Sequence, residues 1–460
     1  MASGTARQEA AFDVNIGTIL LAGQNGVPRS IVNPEYTDFA PRLGFAYDLL
    51  GNGKSSIHGG YGIYYFPDYG GISNQLGQQI PFGGDFTAFS FSGNCQTLSG
   101  QTAQGAPFTC PGYTTGASAN LPLPQPGFPG FNPQSPPFGM SGLAVDQNNR
   151  HSREQQWNLE VEQQVGPKDV VRIAYVGARA DRLSSYYNNY TIGETVKPFP
   201  NFGSITLNQY NGHSNYDGLQ LHAEHRATNF TATASYAWSH ALDDSTSAFG
   251  GTPETLLLYY NQRSNYGNST YDERQIFSSS FVYNLPFGKG QKFANSSSRV
   301  MDLLVGGWQL NNIVLLSTGQ PVDLSAAGSA APGNRPDLIA PIRYPKSISG
   351  FWFDPTSFSS NIPTTTSTDG TNTSIFTRIG TLGRNQVYGP GFRTDNLGVQ
   401  KNLHITESMQ LELHGDAFNV TNTANFANPN NSLGNPAFFG KITGTRGQQR
   451  QIQIAARLVF

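Results

Sequence analysis

The side chains in this sequence that are capable of chemistry fall into four small groups, and each group has a plainer use as well. Gly51-Asn52-Gly53-Lys54-Ser55 has the ending of a phosphate-binding loop. Such a loop needs a glycine five residues before Gly53, but Asp48 stands there and no helical pattern follows, so the segment reads as a hairpin turn. His222 and His225 flank Glu224, yet on an extended strand their odd separation sends the two imidazoles to opposite faces. Asp243-Asp244 and Asp272-Glu273 bracket one long connection and offer the oxygens a calcium ion takes; the plainer expectation is solvated loop acids. Cys95 and Cys110 share one Gly/Pro/Ser-rich stretch. As a disulfide they fit an oxidising compartment and contribute roughly 3 kcal/mol; the alternative is two unrelated thiols. The sequence holds no nucleophile elbow, no His-Glu-x-x-His run and no paired-cysteine zinc spacing. No catalytic residue, cofactor or resident metal is therefore expected, and the chain reads as a non-enzyme.

What remains is scaffold. Of 460 residues, 13% are charged, against about a quarter in an ordinary soluble domain, while 12% are aromatic and 52 are glycine. Mean hydropathy is nevertheless −0.38, so uncharged polar residues have replaced the charge. That balance suits a sheet with one apolar face, one polar face and long polar loops. No stretch approaches the ~18 apolar residues of a spanning helix. Net charge is −2 with no basic stripe, so nucleic acid is not an expected partner.

Period-two alternation dominates. Ile452, Ile454, Ala456, Leu458 and Phe460 oppose Gln451, Gln453, Ala455, Arg457 and Val459. Met409, Leu411 and Leu413 alternate with Gln410, Glu412, His414 and Asp416. Strands are expected near 42–48, 54–65, 155–165, 170–180, 214–226, 230–240, 273–284, 307–318, 392–402, 408–419 and 449–460. The connections then alternate between short (Leu49–Gly53, Gly166–Asp169, Ala227–Asn229, His404–Glu407) and long (66–154, 181–213, 241–272, 319–391, 420–448). One exception on the short side, 285–306, has room for an amphipathic turn around Met301, Leu303 and Leu304. A soluble sandwich has no reason to gather every long loop at one end, whereas a membrane barrel with short periplasmic turns and long extracellular loops does.

The expected fold is thus all-β, an antiparallel transmembrane barrel segment of about eleven strands in the cell outer membrane. The lumen face would carry Gln410, Glu412, His414, Gln451, Gln453 and Arg457, and the 66–154 loop would be extracellular. Its Pro-rich run 121–137 would be a stiff surface segment. Residues 1–32 read as an irregular N-terminal segment, with Asp13–Leu21 a conceivable extra strand, and 33–460 as the barrel domain. An odd strand count does not close a single-chain bacterial barrel, so a further strand or a longer parent protein is implied.

Ordered segments together resemble the C-terminal barrel of Oar-like TonB-dependent receptors of the Acidobacteria type. They include Phe39-Ala40-Pro41-Arg42-Leu43-Gly44-Phe45, Gly59-Gly60-Tyr61-Gly62, Gln155-Gln156-Trp157-Asn158-Leu159, Asn215-Tyr216-Asp217-Gly218 and Tyr236-Ala237-Trp238-Ser239-His240. Leu285-Pro286-Phe287-Gly288-Lys289-Gly290, Gly306-Gly307-Trp308-Gln309, Phe418-Asn419-Val420-Thr421-Asn422 and Arg450-Gln451-Ile452-Gln453 extend the match. The resemblance implies roughly half of a 22-stranded barrel, without the family's signal peptide, plug and TonB-contacting segment. It also implies a receptor that, when complete, binds and takes up a solute such as an oligosaccharide or peptide. Expected partners are outer-membrane lipid, the barrel-assembly machinery through a signal ending at Phe460, and TonB only through the plug. A structural or adhesive barrel without transport is the alternative.

Overall fold

A computed structural model describes residues 10–13, 17–66, 140–188, 202–244, 255–256, 262–296, 298–326, 334–366, 375–406 and 409–460. Its frame is an antiparallel wall of eleven strands in simple up-and-down order. They are β1 (Arg42–Asp48), β2 (Ser55–Phe66), β3 (Ser152–Val165), β4 (Asp169–Asn188), β5 (Phe202–Arg226), β6 (Phe230–Asp243), β7 (Gln275–Asn284), β8 (Trp308–Ser317), β9 (Phe392–His404), β10 (Gln410–Phe418) and β11 (Gln451–Val459). Every expected strand is present, in the expected place.

The registers join these strands into one two-faced surface, because residues directly opposite across a ladder share a face. One continuous row runs Phe45, Gly59, Leu159, Tyr175, Leu219 and Trp238. A second runs Val161, Ile173, Leu221, Tyr236, Phe277 and Leu316. Leu397, Val399, Leu411, Leu413, Ile452, Ile454 and Leu458 continue the same face. The exposed large apolar side chains concentrate there, from Leu43 at 73% to Ile454 at 84% exposure. The opposite face carries Ser56, His58, Asn158, Glu160, Glu162, Arg172, Gln220, His222 and Glu224, together with the polar face of β9 to β11. A soluble sheet would turn its apolar face to a core; this one leaves it bare, as a wall against lipid requires.

Glycines on the apolar face seat aromatic rings. A Cβ at Gly59 would come 2.3 Å from Phe45, and one at Gly177 2.3 Å from Trp157. The sheet order runs from β11 to β1 without closing, and among the described residues each end strand has one wall neighbour.

The four tight connections and the longer 285–307 connection lie at one end of the wall, and the 67–151, 189–201, 244–274, 318–391 and 419–450 connections at the other. One differs from expectation. The 181–213 connection is mostly strand: β4 and β5 stay paired as far as Asn188 and Thr206, past a register shift at Leu183 where Arg182 takes φ 59°. At roughly 3.3 Å per residue, the 25 residues of β5 reach on the order of 80 Å, well beyond a bilayer. Strict alternation lapses in this stretch because no lipid enforces it, while the backbone pairing continues. The 285–306 connection does hold a helix, α1 (Arg299–Val305), which Ser298 caps by accepting the Met301 N–H.

Asp13–Leu21 does not supply a wall strand. Ala10–Asp13 pairs with Thr18–Leu21 in a small hairpin, and Met140–Val145 joins it to the projecting part of β5. Ala11, Ile31, Leu143 and Val145 form a buried cluster there. The 318–391 and 419–450 connections fold on a second core of Val322, Leu324, Phe353, Phe358, Leu382, Val387 and Phe439. Its phenylalanines meet edge to face, with centroids 5.2–5.8 Å apart.

Candidate functional site

The six residues expected on the lumen share one face of β10 and β11. Glu412 lies directly opposite Arg457, Gln410 opposite Val459, and His414 opposite Ala455. Gln453 faces Asp416 and Gln451 faces Phe418, so all six belong to the polar side of the wall. The Glu412 carboxylate lies 3.7 Å from His414 Nε2 and 3.9 Å from the Arg457 guanidinium.

At the long-loop end of that face, Phe392, Thr394, Asn396, Phe418, Asn419, Asn425, Gln448, Gln449 and Gln451 line an open cleft of about 380 Å³. Asparagine chemistry builds its rim. Asn419 and Asn422 take φ 51° and 50°, a left-handed backbone that asparagine tolerates better than bulkier residues. The Asn419 amide donates to the Thr423 and Gln448 carbonyls and accepts the Thr423 N–H. Asn425 accepts the Arg393 N–H and donates to the Arg393 carbonyl. The Phe418-Asn419-Val420-Thr421-Asn422 segment is therefore a turn that fixes the start of the β10–β11 connection. Gln448, Gln449 and Gln451 are exposed in the cleft. Amide groups beside two phenyl rings suit neutral polar solutes: amides donate and accept, and rings stack on apolar faces.

The loop acids are not solvated, contrary to the sequence expectation. Asp243, Asp244 and Asp272 are 6%, 3% and 1% exposed. Asp243 receives the buried Arg384 guanidinium. Asp272 accepts the Tyr388 hydroxyl at 2.7 Å and the Ala241 N–H at 2.8 Å, and Glu273 accepts the Gln320 amide at 2.8 Å. Asp244 accepts the His213 N–H at 2.6 Å; burial holds its carboxyl above the usual carboxylate range despite those His213 bonds. Burial and the Asp272 contact push the Tyr388 hydroxyl far up as well. These acids fasten loops to the wall, Asp243 and Asp272 through Arg384 and Tyr388 more than 100 residues away, partners that a local reading cannot supply. A second cleft beside them, of about 460 Å³ and lined by His240, Asn268, Arg274, Thr318, Gly319 and Tyr388, lies by the apolar side, since His240 shares a face with Trp238.

His222 and His225 do point apart, to Ser235 and Asp169 respectively, each across a different neighbouring strand. Glu35, Asp38 and His151 bring ligand atoms within 4.8 Å of one another, a cluster the sequence hides behind a separation of over 100 residues. Glu35 already accepts the His151 N–H at 2.8 Å and lies 3.7 Å from Arg182, so the group reads as a tie between the N-terminal segment and β3. Cys95, Cys110 and the Pro-rich 121–137 lie outside the described residues.

Against known proteins, no curated protein matches the chain in sequence. Solved structures with a similar arrangement include the outer membrane transporter YddB from Escherichia coli, at 10% identity and TM-score 0.46, covering 91% of this chain and 40% of that one. The FrpB iron transporter from Neisseria meningitidis is 10% identical at TM-score 0.41, over 91% and 39%. The ferric citrate transporter FecA is 12% identical at TM-score 0.39, over 91% and 38%. The chain thus spans about two fifths of these proteins' length. The family model of the outer membrane beta barrel domain matches residues 2–453, nearly the whole of the chain. With its one bare apolar face and one polar face, this chain belongs to the outer membrane beta-barrel domain family.

Proposed function

We propose that this chain is the wall of a TonB-dependent receptor that binds a solute on its polar face and long-loop end, and takes it up when complete. The observation that carries the reading is the polar cleft around Gln451, continuous with the Glu412–His414–Arg457 face of the same strands. Long loops capture, lumen side chains hand the solute inward, and energy coupling belongs to a plug that TonB moves. Gln410, Glu412, His414, Gln451, Gln453 and Arg457 line that path. The cleft's amides and phenyl rings favour an oligosaccharide or a short peptide over a metal chelate. No residue on this path is assigned catalysis.

The test is uptake. Cells carrying the complete gene with Gln448, Gln449 and Gln451 changed to Ala are compared with wild type for growth on, and binding of, labelled oligosaccharides and peptides. Loss of binding with unchanged barrel assembly supports the proposal. A gene deletion that leaves uptake intact but abolishes surface attachment would establish the second reading, an adhesive barrel. The buried aromatic core of the loops favours that alternative, because it makes the outer end a rigid surface.

A further inference from the structure

The helix α1 is built inside out for a protein in water. Val300, Met301, Leu303 and Leu304 are 70%, 51%, 42% and 66% exposed. Three- and four-residue spacing puts Val300, Leu303 and Leu304 on one side, with Met301 adjacent. The acid of the helix, Asp302, turns the other way and accepts the Lys289 N–H at 2.5 Å, closing the Gly288–Lys289 turn. The apolar stripe thus faces outward and the acid faces the protein, the reverse of a soluble surface helix.

Its position says what covers it. Trp308 and Lys401 lie opposite each other on the apolar face of the wall, at its short-turn end. Trp308 donates its indole N–H to the Leu304 carbonyl at 2.9 Å. Lys401 Nζ donates to the Leu304 and Gly306 carbonyls and sits 5.1 Å from the Trp308 ring. Both side chains grip the C-terminal carbonyls of α1, where a cation is favoured. The helix is therefore held on the bare apolar side of the wall, at its rim. Phe287 and Phe293, 42% and 48% exposed, stack 5.5 Å apart in the same connection. Lys289, Lys292 and Arg299 are interleaved with these apolar groups.

We infer that α1 is an interfacial foot: it lies in the headgroup region of the leaflet at the short-turn end, with its apolar stripe in the acyl chains. The three cations meet lipid phosphates there. Such an inverted stripe beside a Trp and basic residues is the composition of an interfacial helix. The inference rests on the wall being in a bilayer, as the family requires, but not on solute transport. A foot between β7 and β8 fixes the wall's depth and tilt.

Spin labels on the full chain, reconstituted in phosphatidylethanolamine/phosphatidylglycerol vesicles, test it. In a Cys95→Ser, Cys110→Ser background, Cys is placed singly at Val300, Leu304, Asn52 and Ile173, and collision with oxygen and with a water-soluble nickel complex is read. Ile173, on the apolar wall face, should favour oxygen and Asn52, in a short turn, should favour nickel. Val300 and Leu304 should read with Ile173. If Ile173 favours oxygen while Leu304 favours nickel, the foot is overturned and the wall stands. If Leu304 is shielded from both reagents, protein rather than lipid covers it, which also overturns the proposal. If Ile173 itself favours nickel, the membrane reading falls first. Exchanging Lys289, Lys292 and Arg299 for Gln should shift the Leu304 label toward nickel in these vesicles, and less so in vesicles of phosphatidylcholine alone.

Discussion

At the scale of residues, the loop end carries opposed acid linkages. Asp337 is held below the usual carboxylate range, first by the Arg378 hydrogen bonds at 2.7 and 2.8 Å. Its contribution is present above the ordinary value of about 3.9 and lost as pH falls through the lower folded value. Asp244 is the reverse: burial raises its folded value, so its contribution is present below about 3.9 and lost as pH rises through that raised value. Asp244→Asn should therefore firm the loop end at neutral pH relative to wild type, and the gain should vanish near pH 4. Hydrogen exchange of the 210–215 amides at the two pH values measures this; equal protection in both proteins at neutral pH would contradict it. Arg384, 141 positions along the chain from its partner Asp243, shows why such chemistry was unreadable locally.

Short of the β4–β5 projection the elements follow a single rule, one residue in and one residue out, along the wall. Ile173 faces the apolar side, paired with Val161 and Leu221, while Val176, three residues on, faces the polar side between Asn158 and Gly218. Ile173→Lys should destabilise the wall by about 2–4 kcal/mol, falling toward zero near an interface, whereas Val176→Lys should cost far less. Urea midpoints of the two variants folded in vesicles give the comparison; equal losses would mean that the faces are not divided between lipid and lumen. The strands were legible because the sheet's two environments differ and the side-chain period is two. Their extension past residue 181 was not, since outside lipid β4 and β5 are held mainly by backbone groups, which are the same in every residue, with scattered side-chain bonds such as Asn208 to Ser184. The foot at α1 was half legible: the apolar Met301, Leu303 and Leu304 stand out, but which way they turn depends on Trp308 and Lys401.

For the whole molecule, the parity of connection lengths assigns the long-loop end to the cell exterior. Protease added to intact cells should cut tags placed at residue 120 or 370 and spare one at Asn52; cleavage at Asn52 alone would invert the orientation. By itself the sequence determined the wall: alternation names the strands, their order and both faces, because each residue there answers to lipid or to water through its immediate neighbours. It also named the polar face of Gln410, Glu412, His414, Gln451, Gln453 and Arg457. Only the tertiary structure decided how the long connections fold, that Asp243 and Asp272 are anchors rather than solvated acids, and that Gln448, Gln449 and Gln451 meet Phe392 and Thr394 in one cleft. Those contacts join residues tens to more than a hundred positions apart, and no local pattern encodes which distant partner will neutralise a buried charge. Burial without a partner is what costs free energy, so the fold, not the motif, selects the pairs.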